Sequence, residues 1–375
     1  MNKLTSIMIL QGTLYYLLAI NIITFIVYGI DKLKAKHSWW RIPESTLLIL
    51  AAVGGSLGAW MGMKVWHHKT LHRKFKYGVP LLMVLHIALL TAFFVCRVND
   101  RGAADGDDSK DLQKKVDNML AVKRVDVGMA VSYQGKILCS VNIDKHFPMM
   151  SVFKLHQAVA VIDSLENSPM TLDSKILITK SMLHEDTYSP LRDGYPEGNV
   201  RLSIEELLRY TLWQSDNNAC DILFSQLGGT EYVQNKMENL GLHNTQIKWN
   251  EYDMHKDTRR CNDNFTTPME AITILETAYN NEWLRRCMEE CQTGQNRLPA
   301  LLHKDKLRIG HKTGTGDALP NGLLVGINDI GFVTLPNGEH YFIAVFCNNS
   351  VLTMEDTEAV IAELSRMVYE YITYN

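Results

Sequence analysis

Four short stretches, far apart along the chain, carry side chains suited to moving an acyl group: Ser151-Val152-Phe153-Lys154, Ser215-Asp216-Asn217, Asn250-Glu251 and Lys312-Thr313-Gly314-Thr315. A serine hydroxyl is a poor nucleophile until a base removes its proton. A spacing of three at a helix start puts Ser151 and Lys154 on one face. The helix N-terminus adds unpaired N–H groups and a positive dipole end, which suit a developing negative charge. Standing alone, Ser151 reads equally well as a helix cap and Lys154 as a solvated helix lysine. Their order along the chain makes the four stretches a set.

Ser215 lies between two amphipathic patterns, IEELLRYTLW and ACDILFSQL, so Ser-Asp-Asn occupies a helix–helix turn. Ser and Asn there serve as caps, or act chemically: Ser215 passes a proton and the Asn217 amide holds both substrate and Lys154. Lys312 sits on a strand opening Leu307-Arg308-Ile309. Its cation is expected to face the cleft and attract an anionic substrate group, aided by the Thr313 and Thr315 hydroxyls. Arg297, in NRLPALL, is the candidate for a second contact with that anion. The backbone N–H groups of Ser151 and Thr315 are the candidate oxyanion hole.

S-x-x-K, S-D-N and K-T-G in this order are the signatures of class A β-lactamases and penicillin-binding proteins. The chain resembles that family over residues 112–375, and its extended-spectrum branch most closely, through FPMMSVFKLH, EDTYSPLRD, QSDNNACDIL and LHKDKLRIGHKTGTG. The resemblance implies hydrolysis of penicillins or cephalosporins through an acyl-enzyme on Ser151, without metal or cofactor. It implies that Glu251 orients the deacylating water and that Tyr188 walls the cleft. It places His255 where a commoner pattern has Asn. Ala158 stands at one position of a cysteine pair found in some relatives. Whether Lys154 or Glu251 is the base in acylation stays open at this point. A D,D-peptidase or a membrane-bound β-lactam sensor would share the serine and both lysines, but Glu251 favours hydrolysis, and the head lacks the H-E-x-x-H of a zinc-protease relay.

The elements that must position these residues are those of one α/β (α+β) domain, 112–375, with the serine β-lactamase/penicillin-binding-protein-like fold. A helix at 112–122 leads to a hairpin, VDVGMAVSY and KILCSVNI, around Gln134-Gly135. A long helical middle follows, then strands at 307–313, 323–335 and 340–347, and a helix over 355–372. The pattern predicts an antiparallel sheet with flanking helices and an all-helical lobe. Residues 98–111 (VNDRGAADGDDSKD) read as a flexible linker.

Upstream the composition changes. Residues 1–100 hold 11 Lys/Arg against 3 Asp/Glu, whereas residues 101–375 hold 27 against 38. Stretches 4–30, 45–63 and 77–96 are apolar and each long enough to span a bilayer of about 30 Å, so 1–97 reads as a helical transmembrane domain. The first is too long for a cleavable signal peptide. Two basic loops, with Lys32, Lys34, Lys36 and Arg41 and then Lys64, Lys69, Arg73, Lys74 and Lys76, favour the cytoplasm. Either all three stretches span, or the second, broken by Gly54-Gly55 and Gly58, dips in and returns. Both versions place the catalytic domain on the extracytoplasmic (periplasmic) side of a bacterial inner membrane. DKLKAKHSWWRIPE, GGSLGA and HKTLHRKF resemble a small integral-membrane family of unknown function. The body shows no basic patch for nucleic acid and is expected to be monomeric. Seven cysteines show no pairing pattern. Cys287 and Cys291 read as packed thiols, and neither they nor His68 and His72 complete a zinc site.

Overall fold

The structure, a computed structural model, describes all residues except 1–2, 38, 167, 303–306, 320 and 375, and no side chains for 3–14, 90, 92–109 and 258. The chain divides into two units, Met1–Gly106 and Asp107–Asn375.

In the first unit α1 (Lys3–Lys36) is followed by α2 (Glu44–Leu50), a π-turn at Ala51–Gly55, and α3 (Ser56–Val65). Tyr15–Lys36 and Glu44–Val65 are both long and apolar enough to cross a membrane. The second is nevertheless folded on itself, as its partners on α1 show. Ile42 N donates to Asp31 Oδ1 (2.8 Å) and the Tyr28 hydroxyl to Leu47 O (3.3 Å), then Tyr16 to Val53 O (2.7 Å). After the turn, Gly58 N donates to Asn21 Oδ1 (2.7 Å) and His68 meets Asp31 (2.7 Å). The contacts descend α1 from 31 to 16 and climb back to 31. Gly54, at φ +115°, makes the reversal, a conformation open mainly to glycine. A Cβ at Gly58 would lie 2.0 Å from Asn21 O, so the returning arm needs glycine there. The second stretch therefore reverses within this unit, and both basic loops lie at the same end of it.

The third apolar stretch, 77–96, lies in α4 (Arg73–Ala121), and part of it has side chains outside the described set. The stretch 98–111, read as a flexible linker, also falls within α4. Its last residue, Asp111, pairs with Lys115 (2.6 Å), an i,i+4 contact that supports a helix.

In the second unit β1 (Asp126–Tyr133) and β2 (Lys136–Val141) form the expected hairpin. The middle holds β3 (Phe147–Pro148), α5 (Phe153–Glu166), β4 (Lys175–Thr179), α6 (Pro190–Gly194), β5 (Gly198–Ser203), α7 (Ile204–Trp213), α8 (Asn217–Leu227), α9 (Thr230–Asn239), α10 (Glu251–Lys256), β6 (Phe265–Thr266), α11 (Pro268–Asn280) and α12 (Glu282–Glu289). Then come β7 (Arg308–Gly314), β8 (Ile327–Thr334), β9 (His340–Asn348) and α13 (Met354–Tyr374). The antiparallel sheet runs β2-β1-β9-β8-β7. The lobe is helical apart from two small antiparallel pairs, β4–β5 and β3–β6. KILIT alternates between exposed and buried, but a strand this short is overshadowed by the helical periodicity around it.

The sheet is covered on both faces, so its strands read as continuous apolar runs. On β9, Phe342, Ala344 and Phe346 pack with α5, α8 and α11, while Tyr341, Ile343, Val345 and Cys347 pack with α13 and the end of α4. This is the two-residue period of a strand. Gly128 on β1 exists because a Cβ there would lie 2.2 Å from the Phe147 ring. Gly128→Ala is expected to lower stability by about 1–3 kcal/mol through overpacking. Gly194→Ala, whose Cβ meets nothing within 4 Å, should stay within about 0.5 kcal/mol of the parent. Urea unfolding of both variants checks the contrast.

Candidate active site

The helix carrying the nucleophile starts under constraint. Met150 has φ +48°, and Met150–Val152 forms a 3-10 turn before α5 begins at Phe153. Ser151 thus stands at the helix N-terminus with Lys154 one turn on, and the Lys154 side chain is completely buried. Lys154 Nζ lies 2.9 Å from Ser151 Oγ, 2.7 Å from Ser215 O, 2.6 Å from Asn217 Oδ1 and 2.7 Å from Glu251 Oε1. An ammonium has three protons, so four acceptors at this range exceed its supply. They share them, and because an ammonium accepts nothing, the Ser151 hydroxyl that receives from Lys154 directs its own proton to Glu251 Oε1, 3.2 Å away.

Ser215 has φ +59°, a left-handed conformation uncommon outside glycine. It turns the carbonyl toward Lys154 while Ser215 Oγ accepts from Lys312 Nζ at 2.9 Å. The cap of α8 is Asp216. It accepts from Ala219 N (2.8 Å), and also from Leu191 N (2.7 Å) and Ser189 Oγ (3.0 Å). This pins the turn to the Tyr188-Ser189 segment, where Asn217 N donates to Tyr188 O (3.1 Å). The Asn217 amide, donating to Thr187 Oγ1 at 2.8 Å, fixes its oxygen toward Lys154.

Glu251 opens α10, and Asp221 on α8 holds it there by accepting from the N–H groups of Glu251 and Tyr252, both at 2.9 Å. Burial and the neighbouring Glu251 charge push the Asp221 carboxyl up to about 7. His255 Nδ1 meets Glu251 O at 2.7 Å.

Lys312 is fully buried on β7. Burial, then the charge of Lys154, pulls its ammonium down to about 7. Gly314 follows because a Cβ there would lie 2.4 Å from Met149 O, so the end of β7 closes directly on the nucleophile's segment. The resulting cleft, about 600 Å³, is lined by Ser151, Tyr188, Ser215, Asn217, Glu251, His255, Thr313 and Thr315. Lys154 and Lys312 form its floor through their contacts with Ser151 and Ser215. A hydroxyl, two ammonium groups and a carboxylate therefore converge, the equipment of an acyl-transferring serine.

Residues 111–372 match the β-lactamase enzyme family. The chain belongs to that family. A class A β-lactamase from Bacteroides cellulosilyticus superposes with a TM-score of 0.69 at 36% identity, over 72% of this chain and 99% of that one. The TLA-1 extended spectrum β-lactamase gives a TM-score of 0.68 at 40% identity, over 70% and 99% of the two chains. Upstream, residues 21–75 match a family of unknown function, DUF1294. There the uncharacterized protein YsdA of Bacillus subtilis is 49% identical over 79 residues, 21% of this chain and 89% of its own.

Of the site residues expected in this β-lactamase, Arg297 alone is set back from the cleft. It donates to Gly314 O (2.9 Å), Asn328 O (2.8 Å) and Thr315 Oγ1 (2.7 Å), and pairs with Glu358 (3.1 Å). Its reach into the cleft runs through Thr315. Thr187, Asp221 and Thr293, whose hydroxyl meets Thr313 Oγ1 at 2.6 Å, escaped the sequence reading because no motif marks them. Cys287 and Cys291 are both buried. Cys291 lies beside His311, which is paired with Asp329 (2.9 Å). Burial opposes thiolate formation, but His311 outweighs it and brings the thiol down to about 7. No cluster of metal ligands occurs among the described residues. Arg297→Ala would strip three oxygens of their donor and leave the partly buried Glu358 without this partner. It should destabilise by about 3–5 kcal/mol, read as a depressed midpoint in urea unfolding.

Proposed function

We propose that this β-lactamase opens the lactam ring through an acyl-enzyme on Ser151, and that Glu251 is the proton acceptor in both half-reactions. The observation that carries this reading is the Ser151 hydroxyl, which donates to Glu251 Oε1 at 3.2 Å while it accepts from the Lys154 ammonium, a group with no lone pair to take its proton. In acylation Ser151 Oγ bonds to the lactam carbonyl carbon as its proton passes to Glu251. The Ser151 and Thr315 N–H groups stabilise the oxyanion, each donor contributing on the order of 10²–10³ in rate. The C–N bond then breaks and Ser215 protonates the nitrogen, its proton replaced from Lys312; the proton that Glu251 took returns through Lys154 and Ser215 to Lys312, so Glu251 is a carboxylate again before deacylation. In deacylation Glu251 takes a proton from water, whose oxygen attacks the ester, and Ser151 leaves with a proton. Lys312, Thr313 and Thr315 bind the substrate carboxylate, with Arg297 orienting Thr315. Asn217, Tyr188 and His255 flank the side chain of the antibiotic.

Membrane attachment belongs to the same reading. With α1 and the apolar part of α4 spanning and the α2–α3 hairpin re-entrant, both basic loops face the cytoplasm. The catalytic domain then works, as a monomer, on the outer side of the inner membrane, where β-lactams arrive.

Glu251→Gln is expected to accumulate the Ser151 adduct with penicillins or cephalosporins, its nitrocefin turnover falling by 10²-fold or more. Mass spectrometry of the quenched enzyme checks this, and wild-type-like turnover removes Glu251 from the mechanism. The depressed Lys312 predicts a second effect. Its cation is present below about pH 7 and lost above it, so kcat/KM for anionic β-lactams should decline above about 7, by up to tenfold per pH unit. Lys312→Arg, which keeps its charge, should flatten that limb of the profile.

A further inference from the structure

We propose that the groove between α2 and α4 binds one anionic phospholipid, its acyl chain against the apolar walls and its phosphate at Arg73 and Lys74. The inference rests on the membrane reading above. The groove encloses about 650 Å³. Leu48, Ile49 and Ala52 form one wall, and Gly78, Leu81 and Leu82 the other. Arg73, Lys74 and Tyr77 stand at its mouth, at the end of the unit where both basic loops lie.

Charge at the mouth is one-sided. The upstream carboxylate Glu44, which also feels the Lys74 charge, is held by Lys69 (2.7 Å) and His72 (3.6 Å). Arg73 and Lys74 have no ion-pair partner among the described residues, and no acidic residue lines the groove. Two unpaired cations above an apolar slot match a lipid with a negative headgroup, the lipid type enriched at a cytoplasmic surface. The depth also fits. From Arg73 to Leu82 the helix rises roughly 14 Å, against about 15 Å for half a bilayer core. The slot has that depth because α2 stops at the turn and does not cross. Gly78 keeps it open, since a Cβ there meets nothing within 4 Å.

The test uses the full chain in detergent, titrated with dioleoylphosphatidylglycerol or dioleoylphosphatidylcholine and followed by native mass spectrometry. One phosphatidylglycerol should be retained under activation that strips phosphatidylcholine. The Arg73→Gln/Lys74→Gln variant should weaken that retention on the order of tenfold. Gly78→Leu, which fills the slot, should abolish it while nitrocefin hydrolysis reports an intact catalytic domain. Equal retention of the two lipids by the wild type, or unchanged retention in either variant, overturns the proposal. Alkaline carbonate extraction separates the two readings. Recovery of the chain in the supernatant defeats membrane attachment and the groove with it, whereas a pelleted chain without lipid preference defeats the groove alone.

Discussion

A lysine ammonium with no access to water governs the catalytic domain. Burying a charge is tolerable only when partners replace its hydration shell, and for Lys154 those partners come from three places in the sequence. Ser151 lies on its own helix. The Ser215 carbonyl and the Asn217 amide come from the α7–α8 turn, and the Glu251 carboxylate from α10. Each must therefore be held to within a few tenths of an ångström, and the surrounding structure can be understood as the means of holding them. Ser215 adopts a left-handed conformation because only then do its carbonyl and its hydroxyl serve two different lysines. Asp216 and Asp221 have no part in the chemistry, yet each secures backbone N–H groups of a second segment and so fixes Asn217 and Glu251.

Lys312 poses the same problem less favourably. It shares the floor with Lys154 and has no carboxylate in direct contact, only Ser215 Oγ and Thr313 O at 2.9 Å. Burial and like charge together weaken its hold on the proton. That is a liability for folding, but in the mechanism proposed above it serves a site that binds an anion and supplies a proton to a leaving nitrogen. On that proposal a substrate carboxylate would provide the missing counter-charge. Stability is given up where function needs an unsatisfied charge.

Much of this was legible in the sequence because chemistry confines residue type more tightly than folding does. The nucleophile, both lysines and Glu251 stand out as polar residues in short motifs, and the sheet follows from apolar runs near both ends of the domain. What stayed hidden acts through backbone groups or through side chains of ordinary type. Asp221 looks like any helix aspartate until its two N–H partners, 30 and 31 residues away, are known. Arg297 was visible as a cation, but its four partners lie on β7, on the residue after it, on β8 and on α13, and spacing carries no record of them.

Polar accounting also explains the N-terminal unit. A chain that reverses inside a bilayer leaves backbone groups at the turn with no water to meet, and such a turn is tolerated only where protein covers it. Here the covering side chains are present. Tyr16 donates to Val53 O, Asn21 donates to Gly54 O and accepts from Gly58 N, and His86 Nε2 meets Ala52 O while its Nδ1 meets Ser56 Oγ. Asn21 and His86, the polar intruders in two otherwise apolar stretches, are thus the groups that let the second stretch turn back. A hairpin closed this way brings both basic loops to one end of the unit, where Lys32 donates to His67 O and His68 meets Asp31.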